Sequence, residues 1–299
     1  MTQQEREKSW LPWALLIGLS LVWGSSFILI KKGLVVFSGG EVGAIRVMAA
    51  CLFLLPMAIP KLHKINRRQW KLLFLCGLLG NFFPAFLFAI AETQLSSALT
   101  GILNALTPLF VLVVGLLFFN QKLGFRTGLG LIIGLAGTLY LVFTGSSDTI
   151  GNVNFHVVYV LLATLCYGIN LNILKYYLHD LSAKEITSIS LLLVGPIGII
   201  YLFSATDFTM KLAMYDGAWE AFFYVVILGV VGTAIALLFF NRLVKITSPV
   251  FTSFVTYLIP IVAVAWGILN NEVVRASHYI GMVVIIAGIF IAGRQNRGQ

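Results

Sequence analysis

The chain has 299 residues, of which 59% are hydrophobic and only 10% are charged. Soluble domains carry about 25% charged residues, so a chain this poor in charge cannot cover a surface that faces water, and lipid must be its main solvent. The net charge of +9 is also typical of nucleic-acid-binding proteins, but the positions of the charges along the chain argue against that function.

Ten apolar stretches are each long enough to cross a bilayer, which takes about 20 residues as a helix. Backbone groups in lipid must be satisfied within the segment, so we expect an all-α polytopic membrane protein. The first stretch is too long for a cleaved signal peptide, and we expect it to be a retained span. The predicted spans are residues 10–30, 40–59, 72–91, 95–119, 127–144, 155–174, 186–204, 221–240, 246–269 and 276–293.

The basic residues set the orientation. If both termini are cytoplasmic, most of the 20 Lys and Arg residues fall in cytoplasmic segments, as the positive-inside rule requires. Spread over loops in this way, they act as topological anchors, and they form no basic patch interleaved with aromatic residues that would bind nucleic acid. The exceptions are Lys31, Lys32, Lys211 and Arg275 outside, and Arg46 within the second span.

The two halves of the chain repeat each other. Trp23-Gly24, followed by Lys31, returns as Tyr167-Gly168, followed by Lys175. Three further matches follow in the same order along the chain. Gly80-Asn81 matches Gly232-Thr233, and Gly130 and Gly137 match Gly281 and Gly288. Between them, the set Ser96, Thr100, Asn104 and Pro108 matches the set Ser248, Thr252, Thr256 and Pro260.

We therefore predict two five-helix repeats, residues 1–145 and 146–299. Because five is odd, the second repeat enters the membrane from the opposite side, and the repeats are inverted. Inverted repeats are typical of alternating-access carriers, whose substrate site lies between the halves.

Four motifs resemble the EamA family of the drug/metabolite transporter (DMT) superfamily: Trp-Gly-Ser-Ser-Phe at 23–27, Arg46, Thr107-Pro108, and Leu-Asn-Asn-Glu at 269–272. The resemblance covers nearly the whole chain, as two EamA-type modules. It implies a ten-helix inner-membrane carrier, often an exporter of amino acids or other small metabolites. Gln121 departs from the family pattern, because it stands where an acid usually follows the fourth helix.

Polar residues mark one face of the fourth span and one face of the ninth. Thr100 and Asn104 on the fourth span are four residues apart, as are Thr252 and Thr256 on the ninth, and this spacing puts each pair on one helical face. Each face ends at a proline, Pro108 or Pro260, where we expect a kink that frees a backbone carbonyl. The alternative is that the hydroxyl groups only bond neighbouring helices.

Two aromatic–polar pairs, Trp23 with Ser26 and Tyr167 with Asn170, each share a helical face. They suit a cargo that is partly flat or apolar and partly polar, although Trp23 and Tyr167 could instead belong to an interfacial belt. The predicted substrate pathway comprises Trp23, Ser26, Arg46, Asn81, Thr100, Asn104, Tyr167, Asn170, Thr233, Thr252 and Thr256.

Arg46 is the one formal charge well within a predicted span. It could bind a carboxylate or phosphate of the cargo bidentately. It could instead extend to the outer interface, or pair with Glu41 or Glu92 as a structural tie. The glutamates Glu41, Glu92 and Glu272 lie at span ends, so ion coupling requires an edge carboxylate such as Glu92 or backbone carbonyls. Facilitated transport or exchange requires neither.

The sequence has no nucleophile with a base, no metal cluster and no acid pair at depth, so we expect neither an enzyme, nor a metal, nor a cofactor. The odd set of three cysteines in apolar runs favours core residues over disulfides or a zinc site. A channel is a further, less favoured alternative, since nothing resembles a selectivity filter.

Together these features predict an alternating-access secondary transporter for a small metabolite. We expect export of amino acids or related amphipathic compounds across the inner membrane, with a nucleoside, sugar-linked or drug-like cargo as the alternative. The expected partners are the cargo and the lipid bilayer, and the chain acts as a monomer or a homodimer. The Gly130-x-x-x-Gly134 motif indicates close helix packing, either inside the chain or at a homodimer seam.

Overall fold

The computed structural model describes residues 3–120, 124–144, 155–246 and 249–293, which are helical and contain no β-strand. In this part of the chain seven helical stretches are long and apolar enough to cross a membrane: Trp10–Leu34, Gly39–Lys64, Arg67–Ala91, Ser97–Phe118, His156–Tyr177, Ala183–Ser204 and Ala218–Leu243. Three shorter apolar helices cover Gly128–Gly137, Leu258–Leu269 and Ala276–Gly288. The expected polytopic α-helical membrane protein is confirmed, whereas the count of ten spans stays a prediction.

The α-helices, in chain order, are α1 (Gln3–Gly24), α2 (Ser26–Leu34), α3 (Gly39–Ala58), α4 (Arg67–Gly77), α5 (Phe83–Ala91), α6 (Ser97–Asn104), α7 (Thr107–Phe118), α8 (Phe125–Thr144), α9 (His156–Tyr177), α10 (Ala183–Ser204), α11 (Phe208–Met214), α12 (Ala218–Ile227), α13 (Ala236–Ile246), α14 (Pro249–Leu269) and α15 (Ala276–Gly293). A 3₁₀ turn, Ile59–Lys64, extends α3.

Capping boxes begin three of these helices. At α3, Ser38 accepts a hydrogen bond from the main-chain N–H of Glu41, and the Glu41 carboxylate accepts one from the N–H of Ser38. Asn66 with Gln69 and Ser182 with Glu185 do the same for α4 and α10. The first N–H groups of a helix have no partner within it, so these side chains satisfy donors that lipid could not.

Two spans contain a π-helical segment. Leu78–Phe82 joins α4 to α5, and Leu228–Ile235 joins α12 to α13. These segments carry Gly80-Asn81 and Gly232-Thr233, which the sequence comparison of the two halves had matched. A π-helical turn has a wider hydrogen-bonding pattern than an α-helix and often occurs at functional sites.

The two prolines expected to kink helices behave differently. The fourth span breaks between Asn104 and Thr107, and Pro108 stands in the first turn of α7, where its missing N–H leaves no helical bond unmade. Helix α14 runs through Pro260 from Pro249 to Leu269 without an interruption.

The helices pack mainly between the two halves of the chain. Helix α3 lies against α10 and against the π segment Leu228–Ile235, while α1 lies against α14. Helix α9 in turn packs on both α5 and α7. The largest buried apolar cluster therefore includes residues from both halves, and the interface between the halves is the core.

Helices α8 and α15 pack closely through glycines. A Cβ atom added at Gly288 would lie 2.8 Å from the carbonyl oxygen of Gly130 and 2.9 Å from Cα of Gly134. The backbones touch because neither helix has a side chain at these positions. The Gly130-x-x-x-Gly134 motif thus serves helix packing inside the chain.

Candidate functional site

A cavity of about 140 Å³ opens between the two halves. Both π segments and parts of α2, α3, α9, α13 and α14 contribute to its walls. Its polar lining residues are Trp23, Ser26, Arg46, Asn81, Asn104, Thr107, Tyr167, Asn170, Thr233, Asn241 and Thr256.

The structure brings the predicted pathway residues together at this cavity, with two exceptions. Thr100 lies away from it: the side chain is fully buried, and its Oγ1 donates a hydrogen bond to the carbonyl of Ser96 at 2.9 Å. The side chain of Thr252 lies outside the described residues. That the other residues contact a cargo stays a prediction.

Arg46 is held in the wall of the cavity. Only 9% of the residue is exposed, and its Nε donates a hydrogen bond to Oγ1 of Thr233 at 2.8 Å. Its guanidinium also interacts with the side chain of Tyr167. An arginine has five N–H donors, so these two partners leave donors for a bound molecule.

The structural tie expected between Arg46 and Glu41 is not formed. The Glu41 carboxylate is instead paired with Lys211 of α11, with 2.6 Å between Oε2 and Nζ. Glu92 interacts electrostatically with Arg46, but among the described residues the two side chains form no ion pair. The guanidinium is thus the cation that the described lining presents to the cavity.

Two amide oxygens in the lining lack hydrogen-bond partners among the described residues: Oδ1 of Asn81 and Oδ1 of Asn170. Asn170 packs over Gly80, where an added Cβ would lie 2.9 Å from the amide carbon. A buried acceptor without a donor costs roughly 1–3 kcal/mol. Both oxygens can therefore gain a bond from the ammonium, hydroxyl or amide group of a ligand.

Aromatic rings form the apolar part of the site. Trp23 packs on Phe240 with 5.0 Å between ring centroids, and its Nε1 donates a hydrogen bond to the carbonyl of Gly232 at 3.0 Å. Phe88 contacts Phe27 at 5.8 Å and Tyr167 at 6.0 Å. The rings of Trp23 and Tyr167 therefore belong to the wall between the halves rather than to an interfacial belt.

Sequence reasoning missed several lining residues. Phe27, Phe88 and Phe240 occur in uniformly apolar runs, where nothing distinguishes a ring that faces a cavity from one that faces lipid. Asn241 could have been predicted from the sequence, because an amide close to an apolar span needs a hydrogen-bond partner. In the structure its Nδ2 donates a hydrogen bond to Oγ1 of Thr187 at 2.9 Å.

The comparisons with known proteins agree with this architecture. The model of the EamA-like transporter family matches residues 9–143 and 154–294. The uncharacterized transporter YxxF of Bacillus subtilis is 27% identical over 267 residues, which is 87% of this chain and 82% of the relative. The uncharacterized inner membrane transporter YedA of Escherichia coli K12 is 24% identical over 288 residues, 92% of this chain and 88% of the relative.

A solved structure, described only as the crystal structure of a protein, superposes with a TM-score of 0.58. It covers 93% of this chain and 94% of its own length at 14% sequence identity. At that identity the similarity shows a shared fold and nothing about cargo.

Proposed function

Because this chain belongs to the EamA-like transporter family and is a multi-pass membrane transporter, we propose that it works by alternating access and carries a small metabolite through the central cavity. The observation that carries the proposal is the cavity itself. It lies between the halves, and it combines one buried cation, two amide oxygens without partners and an aromatic wall.

We infer that the cargo is an amino acid or a related amphipathic compound. Arg46 supplies donors for a carboxylate, and Oδ1 of Asn81 and of Asn170 are acceptors for an ammonium group. The rings of Trp23 and Phe240 offer contact area for an apolar side chain. A cargo with several phosphates is disfavoured, because Arg46 is the only cation among the described lining residues.

The membrane arrangement proposed from the sequence is ten spans in two inverted repeats, residues 1–145 and 146–299, with both termini in the cytoplasm. The π-helical segments support it, because they occur at matching positions in the two halves. The name of the relative YedA supports an inner-membrane location. We propose that its partners are the cargo and the lipid bilayer, and that it works as a monomer or a homodimer.

Export can be tested by overexpressing the chain and comparing the growth medium by mass spectrometry with that of cells expressing Arg46→Gln. A compound enriched by the first strain and not by the second is the expected cargo. The same compound should then show saturable flux in proteoliposomes, accelerated by unlabelled compound on the far side. Flux that never saturates would indicate a channel, and chemical conversion of the compound would indicate an enzyme; either result would contradict the proposal.

A further inference from the structure

The carboxyl group of Glu92 is buried, and its oxygens have no charged partner among the described residues. The residue, which follows α5, has 0% exposure, and among the described residues its Oε1 has no hydrogen-bond partner. Its Oε2 accepts a hydrogen bond from the Oγ of Ser97 at 3.5 Å, which is the longest distance at which a hydrogen bond is counted. The ammonium group of Lys31 bonds the main-chain carbonyl of Glu92 at 2.6 Å rather than its carboxylate.

A second glutamate approaches the same place from the other half of the chain. Glu272 follows α14, and its Oε2 accepts a hydrogen bond from the main-chain N–H of Ala98 at 3.3 Å. Its Oε1 is buried and has no partner among the described residues. Ser97 and Ala98 are the first residues of α6, so the two carboxyl groups meet at the start of one helix.

The surroundings favour the neutral form of Glu92. Burial raises the pKa of this carboxyl group well above its ordinary value, and the negative charge of Glu272 raises it further. The positive charges of Lys31 and Arg46 and the bond from Ser97 act in the opposite direction.

Arg46 connects this buried acid to the cavity. Its guanidinium lines the cavity and at the same time acts on the charge of Glu92. An anionic group bound to Arg46 would neutralise the charge that favours ionised Glu92. Proton affinity at Glu92 must then rise whenever such a group is bound, and by linkage a proton on Glu92 must favour binding of the group.

We propose that Glu92 is a proton-binding site of this transporter, linked to the cavity through Arg46, so that a proton and the anionic group of the cargo bind together. On uptake an O–H bond forms on the Glu92 carboxylate with a proton from water, and on release that bond breaks. Glu41 cannot take this role because Lys211 neutralises it. Glu272 is less suited because its Oε2 already accepts a hydrogen bond from the main-chain N–H of Ala98. The linkage to cargo rests on the proposed function, whereas the proton site itself does not.

The proton site is tested without cargo, by infrared difference spectra of the protein in lipid nanodiscs over a pH series. Wild type should show the carbonyl stretch of a protonated carboxylic acid. This band should persist above pH 4.5, which is the ordinary pKa of glutamic acid, and disappear at higher pH. In Glu92→Gln this band should be absent. The matched control is Glu220→Gln, at an exposed glutamate on α12, which should keep the band.

Two further variants should shift the titration in opposite directions if Glu92→Gln does not fold. Glu272→Gln removes a like charge and should move the loss of the band to lower pH. Arg46→Gln removes an opposite charge and should move it to higher pH. A band that survives in Glu92→Gln, or that moves in the same direction or not at all in these two variants, would overturn the proposal. Because no cargo is present, a failed transport assay leaves this result unaffected.

Discussion

The role of Arg46 depends on how its guanidinium is fixed. Thr233 holds Nε at 2.8 Å, so the side chain keeps a defined direction although it is nearly buried. Such a preorganised, planar donor group can recognise a carboxylate bidentately, which a lysine cannot do. Nothing in the sequence paired Arg46 with Thr233, because the two residues belong to different halves of the chain.

The first prediction concerns the substitution Arg46→Lys. It keeps the charge but loses Nε and the planar fork, and a hydrogen bond to a charged group contributes about 1.5–3 kcal/mol. Cargo affinity should therefore fall about ten- to hundredfold. Binding measured by the cargo-dependent rise in thermal stability checks it, with Thr233→Val as a control that should lose less. Unchanged affinity in Arg46→Lys would remove Arg46 from the site.

The second prediction compares two positions on the same helix, α6. Asn104 lines the cavity, whereas Thr100, one turn earlier, is fully buried away from it. In a background without the three native cysteines, Asn104→Cys should react with a water-soluble thiol reagent, and cargo should slow the reaction. Thr100→Cys should not react. Equal labelling of the two cysteines would contradict the placement of Thr100 away from the cavity.

At the scale of elements, α11 is tied to α3 by charge. Glu41 both completes the capping box of α3 and accepts the ammonium of Lys211, and only 1% of its side chain is exposed. The carboxylate therefore stabilises the start of one helix and the position of another. Sequence reasoning correctly placed Glu41 at a span end but could not identify Lys211, since the pair joins residues far apart in the chain.

The third prediction follows from this pair. Lys211→Met leaves the Glu41 carboxylate buried with its helix N-terminus as the remaining partner, and losing one member of a buried pair costs about 3 kcal/mol or more. Since 20% of the Lys211 side chain is exposed, we expect a smaller loss, about 2 kcal/mol. A lower thermal midpoint in detergent should show it, and Lys32→Met, at an exposed lysine, should have no such effect. The double variant Glu41→Gln/Lys211→Met should recover part of the loss; without recovery, the pair is not the cause.

Helix periodicity and apolar length predicted where helices occur but not where they break. The π segments and the interruption before Thr107 depend on what packs beside them, as Gly80 shows by making room for the Asn170 amide. The polar residues of the cavity were predictable because an amide or a charge in an apolar run needs a reason to be there. The aromatic wall was not, because Phe is equally suited to lipid.

For the whole molecule, the proposed inverted arrangement of the two repeats has a direct topological test. Reporter fusions that fluoresce only in the cytoplasm should be bright after Lys71 and after Arg242, and dark after Asp148 and after Asp207. Alkaline phosphatase fusions at the same positions should give the reverse pattern. Lys71 and Asp207 lie in corresponding loops of the two halves, so the same signal after both would exclude two repeats of opposite orientation, whatever the cargo.

The hydrogen bond from Trp23 to the carbonyl of Gly232 joins the two halves of the chain across the cavity wall. Indole emission depends on the polarity and hydrogen bonding around the ring, so this one side chain reports optically on whether the halves are together at that point. The protein has six tryptophans, and replacing the other five by phenylalanine would leave a chain that carries its own spectroscopic probe. The proposed alternation between open and closed states can then be followed in real time with no dye attached.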